Sequence, residues 1–439
     1  MTTSAAPDRT EVGNYFVANY PPFSTWTAEA VSHDALPALS SPATGVPLGL
    51  YLHIPFCRKR CHFCYFRVYT DKNAGEVQSY LDTLAREWEL YAAQTAIAGR
   101  PLNFVYFGGG TPSYISTKQL ESLVSRMDAV SSWRSAEEIT FECEPGTLSE
   151  GKLAAIRGIG VTRLSLGVEN YDDAILEANG RAHRSGEIDR AYAAARALDF
   201  PQINIDLIAG MVGETDANWE ACVRKTIALA PDSITIYQME LPFNTTISKN
   251  LLTGAAGAQG PVANWSTKRR WVLEAFEALE AAGYHIGSAY TAVRNPGRTT
   301  FIYRDRLWQG ADMVGLGVAS FGHVSGVHIQ NLDTFEAYCD AVAAGRLPLA
   351  RALRPDADER LIREFVLQLK LGSICPSYFQ QKYGVDVLER FRPGLDSLRE
   401  EDLLQLGPDR LGVTREGLLK VDSLLPRFFK PEHQTARYT

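Results

Sequence analysis

From Gly49 onward the chain alternates short apolar runs with longer stretches of helical period. The runs are Gly49–Ile54, Asn103–Phe107, Glu138–Glu142, Arg163–Val168, Gln202–Ile208 and Ser233–Gln238. Each is about the length of a strand and mostly apolar, as a helix-covered sheet requires. Between them, Ala74–Ala98, Thr117–Ala129, Ser185–Leu198 and Ala217–Leu229 repeat apolar positions every three to four residues. Repeated β-α units predict a parallel barrel or part-barrel, with its active site at the C-terminal strand ends. The stretch 250–262 reads as an exposed loop, followed by a helix over Ser266–Ala281. Glycine-rich residues 308–331 read as tight strands and turns facing a ligand, and the pattern turns helical again at Asp358–Lys370.

Before the first strand the pattern is absent. Residues 1–45 are rich in Pro, Ser, Ala and Thr, which predicts an extended arm. They also carry Tyr15, Phe16, Tyr20, Phe23 and Trp26, too many aromatics for an idle linker, so the arm should pack on the body. The expected organisation is an arm over 1–45, a barrel with its extension over 46–355, and a small, mostly helical domain over 356–439.

Composition adds exclusions. A net charge of −7 with no extended basic tract gives nucleic-acid binding no support. No apolar run approaches a membrane span. The polar N-terminus lacks a signal-peptide pattern, and a reducing cytoplasm is the expected compartment. Of the 7 cysteines, Cys143, Cys222, Cys339 and Cys375 are scattered and read as small hydrophobes.

The other three form one run, Cys57-x3-Cys61-x2-Cys64, just after the first predicted strand. Three close thiolates can hold three irons of a [4Fe–4S] cluster and leave the fourth iron open for chemistry. A structural zinc site would need a fourth ligand. His53 and His62 are the candidates, and His62 is poorly placed between Cys61 and Cys64.

With Phe63 before the last cysteine, this run resembles the radical S-adenosylmethionine (SAM) superfamily. The string Tyr51-x-His53-Ile-Pro-Phe-Cys57 resembles its oxygen-independent coproporphyrinogen III oxidase branch. Phe107–Pro112, Phe141–Pro145, Arg163–Val168, Gly180–His183 and Asn204–Gly210 match further motifs in order. The resemblance implies an α/β fold: a parallel (β/α)6 part-barrel with an N-terminal arm and a helical C-terminal domain. It implies a [4Fe–4S] cluster on the catalytic Cys57, Cys61 and Cys64 and two SAM molecules. It also implies a tetrapyrrole substrate and a reduced flavodoxin or ferredoxin as electron donor.

By the same resemblance Tyr51, Glu142, Arg181 and Asp206 contact the first SAM. Gly109, Gly110 and Thr111 meet its methionine part, and Phe63 its adenine. Glu169 is implied as a further SAM contact, altered because the oxidases usually have glutamine there. Tyr303–Gln330, with Trp308, Gln309 and Asp312, matches the second SAM segment. Two departures set this chain apart. Phe66 occupies the place of the oxidases' further cysteine, and the heme motif of the related heme chaperones is missing. The implied activity is oxidative decarboxylation, or another radical modification, of a tetrapyrrole. A radical SAM methyltransferase or cyclopropanase is the alternative, and a heme chaperone is a third reading that the arm and the missing motif disfavour.

Overall fold

The structure is a computed structural model that describes residues 10–13, 16–253, 262–407 and 409–436. Expectations for residues 1–9, Tyr15 and 254–261 fall outside it. Six parallel strands form the frame: β1 (Leu48–Ile54), β2 (Leu102–Gly109), β3 (Glu138–Cys143), β4 (Arg163–Glu169), β5 (Gln202–Ala209) and β6 (Ser233–Gln238). Sequential neighbours pair throughout, and helices such as Ala74–Ala92, Thr117–Val130, Ser185–Ala197 and Asp216–Leu229 make the crossovers. The sheet continues beyond both ends. β7 (His285–Ile286) and β8 (Thr291–Val293) extend it past β6, while β9 (Asp312–Leu316), β10 (Phe321–Val324), β11 (Val327–Asn331) and β12 (Leu349–Leu353) extend it past β1. This is an α/β part-barrel, as the alternation of patterns predicts.

The strands alternate more than their sequence implies. Leu50, Leu52, Val105, Phe107, Ile139, Phe141, Leu164, Leu166, Ile203, Ile205, Ile234 and Ile236 are buried in the main apolar core. The intervening Tyr106, Glu142, Arg163, Ser165, Asp206 and Thr235 line a central cavity. One face of each strand therefore drives packing and the other is free for chemistry.

Helix Ala74–Ala92 starts at an Asn73–Glu76 capping box, which satisfies two donors of its first turn. It ends before the predicted Ala98, where residues 94–100 close in turns. Helix Thr246–Thr253 takes up the start of the predicted 250–262 loop.

Helix Ala74–Ala92 carries Glu87 into the core, fully buried, where it accepts from Gly317 N at 2.8 Å, Tyr338 Oη at 2.7 Å and Asn331 Nδ2 at 2.6 Å. Burial, partly offset by these donors, raises its pKa to about 7. All three partners donate, so a side-chain amide would turn an N–H toward a donor. Glu87→Gln is expected to cost about 1–3 kcal/mol of stability in urea unfolding.

The arm is built into the body. Tyr20 is fully buried, stacks on Phe429 at 4.9 Å and accepts from Lys430 N at 3.2 Å. Trp26 lies parallel to the His328 ring at 5.1 Å, and Thr27 exchanges two backbone hydrogen bonds with Ala352.

Beyond Asp356, helices Ala357–Leu369, Pro376–Tyr383 and Arg392–Glu400 surround a second apolar core shared with Val17 and Tyr20. A small three-stranded sheet (Ser373–Ile374, Leu404–Leu406, Leu411–Val413), absent from the sequence reading, completes this region. Among the described residues no helix is long and apolar enough to cross a membrane.

Candidate active site

A cavity of about 580 Å³ opens at the C-terminal ends of β1–β6. Cys57, Cys61 and Cys64 all line it, on the loop that follows β1. Cys57 N donates to Tyr69 O at 3.0 Å, and Cys64 N to Cys61 O at 3.2 Å. Burial pushes the Cys57 thiol up to about 12 and the Cys64 thiol to about 11. Metal coordination deprotonates thiols outright, so loading this site should release protons.

Neither histidine joins the sulfurs. His62 Nδ1 donates to Ala178 O at 3.0 Å, and His53 lies 3.2 Å from Tyr51 Oη and 3.4 Å from Arg67 O. Among the described residues no three His, Cys, Asp or Glu side chains are gathered for a single metal ion. The three cysteines instead share one wide cavity, as a multi-iron cluster requires.

The turn after β2 seals the loop from below. Gly110 N donates to Ile54 O and Thr111 N to Phe56 O, both at 2.9 Å, and Thr111 Oγ1 donates to Cys57 Sγ at 3.3 Å. A Cβ on Gly110 would stand 2.8 Å from Pro55 C and 3.1 Å from Cys57 Sγ, and Gly109 has φ +112°. Only glycine allows this approach. Gly109 N is also taken, by Glu142 Oε2 at 3.2 Å. An ammonium brings donors only, so it can meet this turn through carbonyl oxygens or the Thr111 hydroxyl oxygen.

Four charged residues complete the same wall. Glu142 accepts from Tyr106 Oη at 2.6 Å. Asp206 accepts from Ser165 Oγ and Asn204 Nδ2, both at 2.9 Å. Glu169 takes φ +65° at the end of β4, which brings its Oε1 to 3.6 Å from Arg181 Nη2. Arg181 Nη1 donates to Cys61 Sγ at 3.4 Å and Nη2 to Gly167 O, while Nε is buried with no partner. Deeper in the lumen Arg163 is 2 % exposed, stacks on Phe301 at 4.1 Å, and leaves Nε and Nη1 without acceptors. A wall of ionisable groups with unspent donors beside three thiols fits a cluster and a charged, hydroxylated ligand.

Burial raises the carboxyls of Glu142 and Glu169 to about 7, from 4.5. Both then hold protons when folded that the unfolded chain releases between about pH 4.5 and 7. Their contribution favours the folded state at low pH and declines as pH rises through 7. The double variant Glu142→Gln/Glu169→Gln should show a flatter dependence of the urea midpoint on pH between 5 and 8.

Phe63 packs at the edge of a cluster containing Ile175, Met211, Met239 and Leu241, and it also lines the cavity. Tyr51 does not join the lining. Its hydroxyl meets His53, and its ring stacks near Tyr106 at 5.9 Å. The segment expected to hold a second SAM divides. Tyr303 lines the cavity, but Trp308 packs against the C-terminal core and Gln309 O accepts from Lys382. Asp312 is paired with Arg100 at 2.8 Å, at the N-terminal end of β9. The site opens at the other end of the parallel strands, which corrects the expectation for Asp312.

Of the loop cations, Arg58 is held by Glu144, Arg67 by Asp333 and Arg60 by Cys64 O at 3.1 Å, and Lys59 and Arg60 line the cavity. Phe16 of the arm and Leu418–Ser423 also line the cavity. Asp422 binds them together, accepting from Val17 N at 2.9 Å and pairing with Lys370 at 2.6 Å. No motif marks these residues, because only the tertiary return of the chain ends brings them here.

Comparison with known proteins agrees with this architecture. Residues 51–225 match the radical SAM superfamily, and residues 356–419 match the HemN C-terminal domain. A heme chaperone HemW of Synechocystis sp. is 30% identical, over 64% of this chain and 67% of that protein. An oxygen-independent coproporphyrinogen III oxidase of Pseudomonas aeruginosa is 27% identical over 90% and 88%. The solved coproporphyrinogen III oxidase (HemN) from Escherichia coli, a radical SAM enzyme, superposes with a TM-score of 0.80 at 22% identity, over 94% and 96%. The fold and the three-cysteine loop are those of a radical SAM protein. The chain belongs to the oxygen-independent coproporphyrinogen III oxidase-like family of that superfamily, whose members include both oxidases and heme chaperones.

Proposed function

We propose that this protein is a radical SAM oxidoreductase that oxidatively decarboxylates a tetrapyrrole. The observation that carries the reading is the shared cavity: Cys57, Cys61 and Cys64 adjoin a wall of Glu142, Glu169, Arg181 and Asp206. In this reading the cysteines hold three irons of a [4Fe–4S] cluster. When bound, the reduced cluster and SAM supply a 5′-deoxyadenosyl radical, which takes a hydrogen atom from substrate.

The chain's own residues do the rest. Arg181 meets the SAM carboxylate with its unspent Nε. Carbonyls of Gly109 and Gly110 accept from the ammonium, with Thr111 fixing the turn. Glu142 and Asp206 accept from the ribose hydroxyls, and Phe63 backs the adenine. Tyr51 backs the wall through Tyr106, which donates to Glu142. A reduced flavodoxin or ferredoxin in the cytoplasm fits as donor. The cavity lining also offers Tyr65, Tyr237 and Tyr290 with Lys59 and Arg60, aromatic surface together with cations. That composition suits a macrocycle bearing carboxylates.

In the parent reaction a propionate loses a hydrogen atom, one further electron and CO2, and becomes vinyl. An electron acceptor takes that electron. The packed arm, whose Phe16 lines the cavity, supports the oxidase over the chaperone, because the resemblance gives such arms to the oxidases. Phe66, exposed at the mouth, favours one second reading, a methyl or methylene transfer from a second SAM.

Anaerobic incubation with dithionite, methyl-labelled SAM and coproporphyrinogen III separates the two. Unlabelled product with CO2 release supports decarboxylation. Label in the product, with S-adenosylhomocysteine beside 5′-deoxyadenosine, overturns it in favour of transfer.

A further inference from the structure

Glu144, which follows β3, is absorbed by none of the roles above. It is 8 % exposed, and Ser113 Oγ accepts from its backbone N–H at 3.0 Å. Its carboxylate receives Arg58 twice, Nε to Oε2 at 3.1 Å and Nη2 to Oε1 at 2.9 Å. Gly146 N donates to Oε1 at 3.0 Å, and His183 Nδ1 lies 3.1 Å from the same oxygen. The His183 ring reaches onward, 3.2 Å from Val168 O and 3.5 Å from Arg181 Nη2. Arg58 directly follows Cys57, and Arg181 donates to Cys61 Sγ. The Nδ1 that donates to Glu144 cannot also accept from Arg181, so Glu144 joins Cys57–Arg58 to His183 by hydrogen bonds and reaches Arg181, the donor to Cys61, by charge.

We propose that Glu144 is a positioning residue that holds the cysteine loop and Arg181 in one frame, so that the metal site and the SAM-carboxylate site form together. The proposal rests on the reading of Cys57, Cys61 and Cys64 as cluster ligands.

Three observations support it. The Arg58–Glu144 contact is two-pronged and charge-assisted, and the Glu144 side chain is only 10 % exposed, so the pair is better shielded than a surface ion pair. Room for Arg58 is built in, because a Cβ on Gly146 would fall 2.0 Å from Arg58 Nη2. The rest of the loop is tied elsewhere: His62 N donates to Asn179 O, and Asn244 Nδ2 to Tyr65 O. Those ties hold the half around Cys61 and Cys64. On the half that begins at Cys57, backbone bonds and Thr111 fix Cys57 itself, and Glu144 adds the grip on the next residue, Arg58.

The test uses the anaerobically reconstituted full chain. Glu144→Gln keeps shape but loses the charge that grips Arg58. Iron loss to a chelator should quicken on the order of 10- to 100-fold, the usual effect of removing a group that orients metal ligands. SAM affinity should fall with it. Arg58→Gln, on the exposed side of the pair, should speed iron loss without threatening the fold. The double variant should lose iron no faster than Glu144→Gln, because both changes break one contact. Glu144→Asp should recover part of the wild-type rate. In the metal-free protein, Glu144→Gln should raise the alkylation rate of Cys57 relative to Cys64, a readout that needs no cluster. Wild-type iron loss and alkylation in both single variants would overturn the proposal while leaving the cluster reading intact. A wild-type protein that takes up no four-iron cluster would overturn that reading itself.

Discussion

Alanine at Cys57, Cys61 or Cys64 should each abolish the cluster-dependent absorbance of the reconstituted protein, and with it reductive cleavage of SAM. Three ligands are the fewest that leave one iron open while holding the other three, so losing any one leaves two irons without protein ligands. All three line one cavity, on a loop fixed by Cys57 N to Tyr69 O and by the Gly110–Thr111 turn. Cys143 also borders the cavity, but it is buried in strand β3 with its Sγ toward Phe141 O at 3.9 Å, and Cys222 is buried in helix Asp216–Leu229. Their alanine variants should keep iron and absorbance. If Cys143→Ala emptied the site while Cys57→Ala did not, the ligand assignment would be wrong.

Arg181→Met should weaken SAM binding by about 2–5 kcal/mol, the range for truncating one partner of a buried, hydrogen-bonded charge pair. Iron content should stay near wild type, because Arg181 touches Cys61 Sγ as a donor and is not a ligand. The variant keeps the aliphatic stem and removes the guanidinium. Glu169 then loses the cation 3.6 Å away, and its carboxyl, already near 7, should move further up. Calorimetry with SAM on the reduced and oxidised protein would measure the loss. Unchanged affinity would move the carboxylate contact elsewhere, with Arg163 the next buried cation on the cavity.

The barrel was legible because its β-α period survives in the apolar pattern, from Leu50 and Leu52 to Ile234 and Ile236. The site was legible where chemistry leaves a local signature: three cysteines within eight residues, a glycine turn, and acids at strand ends. It was not legible where contacts span the chain. Asp422 reaches Val17 across 405 positions, and Glu144 reaches Arg58 across 86. Arg163 looked like an ordinary first residue of a strand, and only the lumen shows its unpaired nitrogens. Asp312 failed as a site residue for a geometric reason, since its strand runs parallel to β1 and it sits at the wrong end. Tyr51 points to the same limit: a motif gives a position along a strand but not the partner its side chain will choose.

In the proposed function, radical chemistry from the three-cysteine site acts on a tetrapyrrole propionate. Coproporphyrinogen III deuterated on its propionate side chains tests this directly, under anaerobic conditions with SAM and dithionite. Mass spectrometry should find deuterium in the 5′-deoxyadenosine formed, together with a product lighter by CO2. Cleavage of SAM to unlabelled 5′-deoxyadenosine, with the porphyrinogen recovered intact, would contradict the account.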